Sequence, residues 1–153
     1  MPVTPTFDDP SPQLAAVLRW LNAMATGDLA EAKAVHTDDS VLVPGPASLK
    51  VPPIEGKKAL VEMYSKVLPT MTSFTITIKD VTEAPGKVVV HALGDAKTSY
   101  GYHYANEYMY TFHLAAQGDG SFKISKLLEF TDATITKAYL EVLKKLMETA
   151  NVS

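Results

Sequence analysis

The stretch YGYHYANEYMYTFHL, residues 100–114, decides the fold. Its character alternates with period two, the pattern of an extended strand whose successive side chains leave opposite faces. Tyr100, Tyr102, Tyr104, Asn106, Tyr108, Tyr110, Phe112 and Leu114 fall on one face, and His103, Glu107, Thr111 and His113 on the other. The first face holds five of the seven tyrosines in the chain. Such a face is apolar in area but carries hydroxyls that need partners when buried. That suits the wall of a pocket; the alternative is a cross-strand aromatic ladder on an exposed or dimer-forming sheet face.

Working outward, the same period governs Phe74, Ile76 and Ile78, which alternate with Thr75, Thr77 and Lys79. Pro85-Gly86 turns the chain into a strand over Val88–Leu93. A third strand covers Tyr100–Ala115, and a fourth covers Phe122–Thr131 beyond the turn Gln117-Gly118-Asp119-Gly120. Upstream the period is helical. Ser11-Pro12 starts a helix carrying Leu14, Val17, Leu18, Leu21 and Met24, and Gly27 stops it. Asp28 and Glu31 form a capping box for a short second helix. Ser40–Val43 is a short strand entering a loop stiffened by Pro44, Pro46, Pro52 and Pro53, and Lys57–Val67 is a third helix with Tyr64 on its apolar face. Ile135, Tyr139, Val142, Leu143 and Leu146 make one stripe on a terminal helix that docks back on the sheet. The expected architecture is a single α+β domain over 1–153, with residues 1–10 as a flexible arm. A curved antiparallel sheet and packed N-terminal helices enclose an apolar pocket.

Bulk properties narrow the function classes. A chain of 153 residues, 46% hydrophobic and 20% charged, is globular and long enough to bury a core. A net charge of −3 without a basic stripe argues against nucleic acid. The chain has no apolar run of membrane-spanning length and starts without a signal-peptide pattern, so a cytoplasmic protein with no membrane partner is expected. With no cysteine there are no disulfides, thiolate nucleophiles or thiolate metal sites. The sequon Asn151-Val152-Ser153 is discounted without a secretory signal. His36, His103 and His113 lack ligand spacing, so no metal and no cofactor are expected.

The order of elements resembles the nuclear transport factor 2-like, or cystatin-like, roll. Within it, Thr37–Pro44, Pro46–Pro53 with Lys57, Gly86–His91, Tyr104–Tyr108 and Leu128–Asp132 resemble the fungal branch of the SnoaL-like polyketide cyclase family, over about residues 12–140. The resemblance implies a cone-shaped sheet around a site for a small hydrophobic molecule, and a homodimer. It also implies that Leu127, Glu129 and Thr131 point into the cone, as in ketosteroid isomerase. The aspartate of ketosteroid isomerase would fall near Val43-Pro44, where neither residue accepts a proton. The serine and asparagine of scytalone dehydratase fall on Tyr104 and Asn106, so only the asparagine carries over.

Glu129 is the first candidate for a catalytic group, since desolvation in the cone would raise its carboxyl toward working pH. Strict alternation instead makes Phe122, Ile124, Leu128 and Phe130 the hydrophobic face and leaves Glu129 solvated. Register decides: Glu129 shares a face with Tyr104, Asn106 and Tyr108 only when opposed positions have an odd sum, as in Glu129 opposite Asn106. Glu129 opposite Glu107 would turn it outward. Asn106 is the second catalytic candidate, as a donor to a carbonyl or enolate, against a purely structural amide. Tyr64, Tyr104, Tyr108, Tyr110 and His91 are the candidate substrate contacts, His91 with its facing open. Asp132 is read as a helix cap before a catalytic acid, and Trp20 as core. The expected activity is cofactor-independent isomerisation, cyclisation or dehydration of a small hydrophobic natural product; a non-catalytic carrier is the alternative.

Overall fold

Local chemistry sets the helix ends in the computed structural model, which describes residues 2–151. Val152 and Ser153 of the sequon lie outside the described residues. Ser11 Oγ accepts from Leu14 N at 3.1 Å and starts α1 (Pro12–Thr26), which Gly27 ends at φ 72°. Asp28 caps α2 (Leu29–Ala34) by accepting from Glu31 N. Asp132 caps α4 (Ala133–Ala150) by accepting from Thr134 N at 2.8 Å. α3 spans Lys57–Val67.

The strands are β1 (Val3–Thr4), β2 (His36–Gly45), β3 (Ile54–Glu55), β4 (Met71–Ala84), β5 (Lys87–Thr98), β6 (His103–Ala116) and β7 (Phe122–Thr131). They form one curved, open sheet in the order β1-β4-β5-β6-β7-β2-β3. The β4–β7 meander is antiparallel as expected, but the sheet as a whole is mixed. β2 runs parallel to β7 and β1 parallel to β4. The chain passes from α2 directly to the β7 edge, where Ile124 N donates to Val35 O at 2.8 Å. β2 therefore starts beside the start of β7 and extends through Pro44. The N-terminal arm supplies a two-residue strand, with Phe7 packed against the core.

Two departures from strict alternation shape the interior. Tyr100 and Tyr102 leave the tyrosine strand and form the β5–β6 turn. There Gly101 takes φ 79°, and Thr98 Oγ1 donates to Tyr102 O at 2.8 Å. On β7, Ser125 is an extra residue that interrupts the pairing between His113↔Lys126 and Leu114↔Ile124, and its hydroxyl donates to His113 O at 3.1 Å. This bulge lets Ile124 and Leu127, three residues apart, both point inward and be fully buried. Leu128 is only half-buried, and Phe130, expected on the core face, is 53% exposed.

α1 and α3 pack against the inner face of the sheet. Trp20 meets Tyr110 and Phe112 edge-on at 5.4 and 5.5 Å between ring centroids. Gly94 makes room for the tyrosine row: a Cβ there would lie 2.7 Å from the Tyr108 ring and 3.0 Å from that of Phe74. α4 docks through its first three turns, where Ile135, Tyr139 and Leu143 pack against the core, while Leu146 stays exposed. No helix among the described residues is long and apolar enough to cross a membrane.

Candidate active site

The register places Glu129 on the tyrosine face. Tyr110 opposes Glu129, Tyr108 opposes Thr131 and Phe112 opposes Leu127, all odd-sum pairings; the partner of Glu129 is Tyr110, not Asn106. On its other side Glu129 pairs with Pro44 of β2. Val43-Pro44 supplies no acid there, and a carboxyl from the neighbouring strand stands beside it.

Desolvation lifts the Glu129 carboxyl from an ordinary 4.5 to about 7. Water still reaches part of the residue, which is half-buried. The crowding of protein around the carboxyl, rather than that residual exposure, sets its proton affinity. The negative charge of Glu129 is felt by the hydroxyls of Tyr64, Tyr104, Tyr108 and Tyr110, all of which burial already holds above the usual phenol range. The carboxyl of Glu129 and the hydroxyl of Tyr110 have no hydrogen-bond partner among the described residues, yet neither is sealed from water. Open to water, the carboxyl and the neighbouring phenol are also open to another small molecule.

Tyr64 reaches this region from α3. Its hydroxyl accepts from Trp20 Nε1 at 3.2 Å and lies 3.4 Å from His36 Nε2. His36 Nδ1 is 2.9 Å from Ser40 Oγ. His36 and Ser40 are both fully buried. Desolvation, with a smaller push from the charge of Lys57, lowers His36 to about 4, so the ring is neutral at physiological pH. Sequence reasoning missed His36, because its partner Tyr64 comes from α3 and no local pattern links the two.

Asn106 is buried on the expected face but is already saturated. Its Nδ2 donates to Tyr104 Oη at 2.8 Å and to Thr136 Oγ1 at 3.0 Å, and its Oδ1 accepts from Glu107 N at 2.8 Å and Asp132 N at 3.1 Å. Two donors and two lone pairs are all an amide offers. The structural reading of Asn106 therefore replaces the catalytic one: it ties the start of α4 to β6 and orients Tyr104. Tyr104 stacks on Tyr139 of α4 at 4.3 Å, and Tyr108 on Tyr110 at 4.9 Å. The row is thus an aromatic ladder as well as a lining for Glu129.

His91 does not join the site. It pairs with Met109 on the outer face, half-exposed, and its Nε2 lies 2.6 Å from Glu107 Oε1. His103 makes a similar outer-face contact with Asp95 at 2.9 Å. Asp132 is the α4 cap, its carboxyl turned to backbone amides. Among the described residues no group of three or more His, Asp or Glu is placed to hold a metal ion.

The sequence model of one family, described as SnoaL-like domain, matches residues 17–126. No curated protein sequence matches the chain. Among solved structures, the chain resembles the BvnE pinacolase from Penicillium brevicompactum, with a TM-score of 0.74 at 22% identity, over 89% of this chain and 96% of that one. It also resembles PrhC from Penicillium brasilianum, with a TM-score of 0.72 at 20% identity, over 89% and 90%. Rv0760c from Mycobacterium tuberculosis, solved in complex with estradiol-17beta-hemisuccinate, has a TM-score of 0.61 at 19% identity, over 79% and 94%. At these identities the likeness is one of fold.

Proposed function

The chain belongs to the SnoaL-like domain family, and from that premise we propose that it is a cofactor-independent acid–base catalyst. Its substrate is a small, largely apolar natural product of polyketide or terpenoid type, which it isomerises, cyclises or dehydrates. The observation that carries this reading is the Glu129 carboxyl, desolvated to about 7, unpartnered, and set among tyrosine hydroxyls. A carboxyl of that proton affinity holds both protonation states near neutral pH, so it can take a proton from one substrate atom and return it to another.

In the proposed step the Glu129 carboxylate removes a proton from a carbon beside a carbonyl. Tyr hydroxyls donate to the carbonyl oxygen as it gains negative charge, and the protonated Glu129 then delivers the proton to a second carbon or to a departing hydroxyl. Their raised proton affinity keeps the tyrosines as phenols, so they serve as hydrogen-bond donors. With apolar rings around one carboxyl, the interior suits an uncharged molecule carrying one or two oxygens. The steroid ester held by one structural neighbour has a large apolar body of the kind such an interior suits.

The test incubates wild type and Glu129→Gln with an extract of the source organism, followed by native mass spectrometry. Wild type should release a product isomeric with the captured compound, or one lighter by water, while Glu129→Gln retains the compound unchanged. Full conversion by Glu129→Gln removes the assigned role. The carrier reading uses the same ladder of stacked tyrosines, and capture without conversion by both proteins would establish it in place of catalysis.

A further inference from the structure

The tyrosines around Glu129 divide by what their hydroxyls already hold. Tyr64 Oη accepts from Trp20 Nε1 at 3.2 Å and lies 3.4 Å from His36 Nε2. Tyr104 Oη accepts from Asn106 Nδ2 at 2.8 Å, and the Tyr108 hydroxyl is turned to that of Tyr104. Tyr139, which α4 adds to the row, receives the Tyr100 hydroxyl at 2.9 Å. Tyr110 differs from all of these. The residue is 3% exposed, yet among the described residues nothing hydrogen-bonds to its hydroxyl.

Three aromatic neighbours hold the Tyr110 ring in place. Trp20 meets it edge-on at 5.4 Å, Tyr108 stacks on it at 4.9 Å with 10° between the planes, and Phe112 lies tilted against it at 5.8 Å. A phenylalanine would make the same three contacts without burying a hydroxyl, so packing does not explain the oxygen. Its position explains it. Tyr110 and Glu129 are directly opposed on β6 and β7 and share the inner face, where opposed Cβ atoms lie about 5 Å apart. Both polar groups are open to water, and neither is bonded to the protein. One donor and one proton carrier, both unengaged, rise from a single cross-strand pair.

We propose that Tyr110 is a catalytic residue, the hydrogen-bond donor to the substrate oxygen, and that the site takes a neutral carbonyl compound whose α-carbon faces Glu129. This deepens the acid–base reading, narrows its tyrosine donors to one, and rests on it. A spacing set by one strand pair suits two atoms of a single small fragment, the carbonyl oxygen on Tyr110 and the carbon beside the carbonyl over Glu129. As the carboxylate takes the proton, the C–H electron pair becomes a carbon–carbon double bond and the carbonyl π pair moves to oxygen. Tyr110 stabilises that charge through its hydrogen bond and keeps its own proton. Return of the proton to carbon reverses the electron flow, so no oxidant or reductant is consumed. Burial alone sets the Glu129 proton affinity, and no cation contributes to it. A carboxylate or phosphate on the substrate would therefore meet the Glu129 carboxylate with nothing to neutralise it, which restricts the class to neutral molecules.

The test uses acetophenone as the carbonyl probe, labelled with carbon-13 at the carbonyl, and ethylbenzene as its oxygen-free counterpart. In NMR titrations wild type should bind acetophenone about tenfold more tightly than Tyr110→Phe does, as one neutral hydrogen bond provides, while both proteins bind ethylbenzene alike. The carbonyl resonance should move downfield in the wild-type complex and not in that of the variant. Benzoate, offered above about pH 7 where Glu129 is charged, should bind wild type more weakly than acetophenone. Equal acetophenone affinities, no acetophenone binding to wild type, or benzoate as the tighter ligand each overturn the proposal. Urea unfolding gives a second readout. Tyr110→Phe should unfold at the wild-type concentration or above it, whereas Tyr64→Phe, which leaves the Trp20 N–H without its acceptor, should unfold earlier. An equal loss in both variants would show that the Tyr110 hydroxyl has a partner within the protein, and this too overturns the proposal. No readout involves turnover. Full conversion by Glu129→Gln would remove the acid–base reading and leave Tyr110 as the donor to the bound oxygen; equal acetophenone affinities, with conversion lost in Glu129→Gln, would do the reverse.

Discussion

Replacing Glu129 by glutamine should change the pH dependence of stability in a way that few other substitutions could. Burial raises the carboxyl from 4.5 to about 7, so between those values the folded chain holds a proton that the unfolded chain has released. Stability then falls as pH rises through this window: the contribution is fully present below about 4.5 and gone above about 7. The size is about 3 kcal/mol, from 1.36 kcal/mol for each tenfold change in proton affinity. His36 works the other way. Its folded value is lowered from 6.5 to about 4, so the unfolded chain takes up a proton first as pH falls. The His36 contribution is present above 6.5 and lost toward 4, again by about 3 kcal/mol. The two slopes overlap and oppose, and from these two groups the wild type should show little net change between about pH 4.5 and 6.5. Glu129→Gln removes one slope only. Urea unfolding of both proteins across pH 4 to 8 should show the variant gaining on wild type by about 3 kcal/mol between pH 4.5 and 7. Taking the difference cancels His36, the surface carboxylates and any fixed cost of the buried amide. A difference that is flat with pH would show that Glu129 titrates as an ordinary solvated carboxyl and would refute the desolvation on which its role depends.

Other substitutions probe the frame around the site. Asn106→Ala removes four hydrogen bonds and leaves the Glu107 and Asp132 amides without their acceptor. A loss of about 2–4 kcal/mol in chemical unfolding is expected, with weaker docking of α4 read from hydrogen exchange over residues 133–143. Gly94→Ala drives a methyl into the Tyr108 and Phe74 rings and should cost about 1–3 kcal/mol in thermal unfolding. The β7 bulge predicts an inequality that strict alternation reverses: Leu127→Ala should cost about 2–5 kcal/mol, while Phe130→Ser, on the exposed side, should cost under about 1 kcal/mol.

What the sequence made legible was local. The caps at Ser11, Asp28 and Asp132 and the alternation of Phe74, Ile76 and Ile78 each involve residues a few positions apart, and each places its element. The family resemblance suggested the inward facing of Glu129 against its hydrophobic pattern, and the strand register that decides it shows only in the folded pairing. The bulge at Ser125 divides the apolar residues of β7 between two faces, and no residue type there announces it. Asn106 looked available because its four partners are scattered: Thr136 and Asp132 reach it only once α4 folds back, and Tyr104 and Glu107 engage it through geometry that composition does not encode. His91, whose facing the sequence left open, lies on the outer face, where its ring contacts Glu107. His36 fell outside the short strand expected at 40–43, and it meets Tyr64 only in the tertiary structure.

The central claim is that Glu129 is a desolvated carboxyl, enclosed by the tyrosine face and able to carry a proton near neutral pH. The most direct measurement is the carbon-13 titration of its side-chain carboxyl, identified by the signal missing from Glu129→Gln. The account predicts a midpoint of about 7. A midpoint near 4.5, the ordinary value for glutamate, would contradict it and take the proposed chemistry with it.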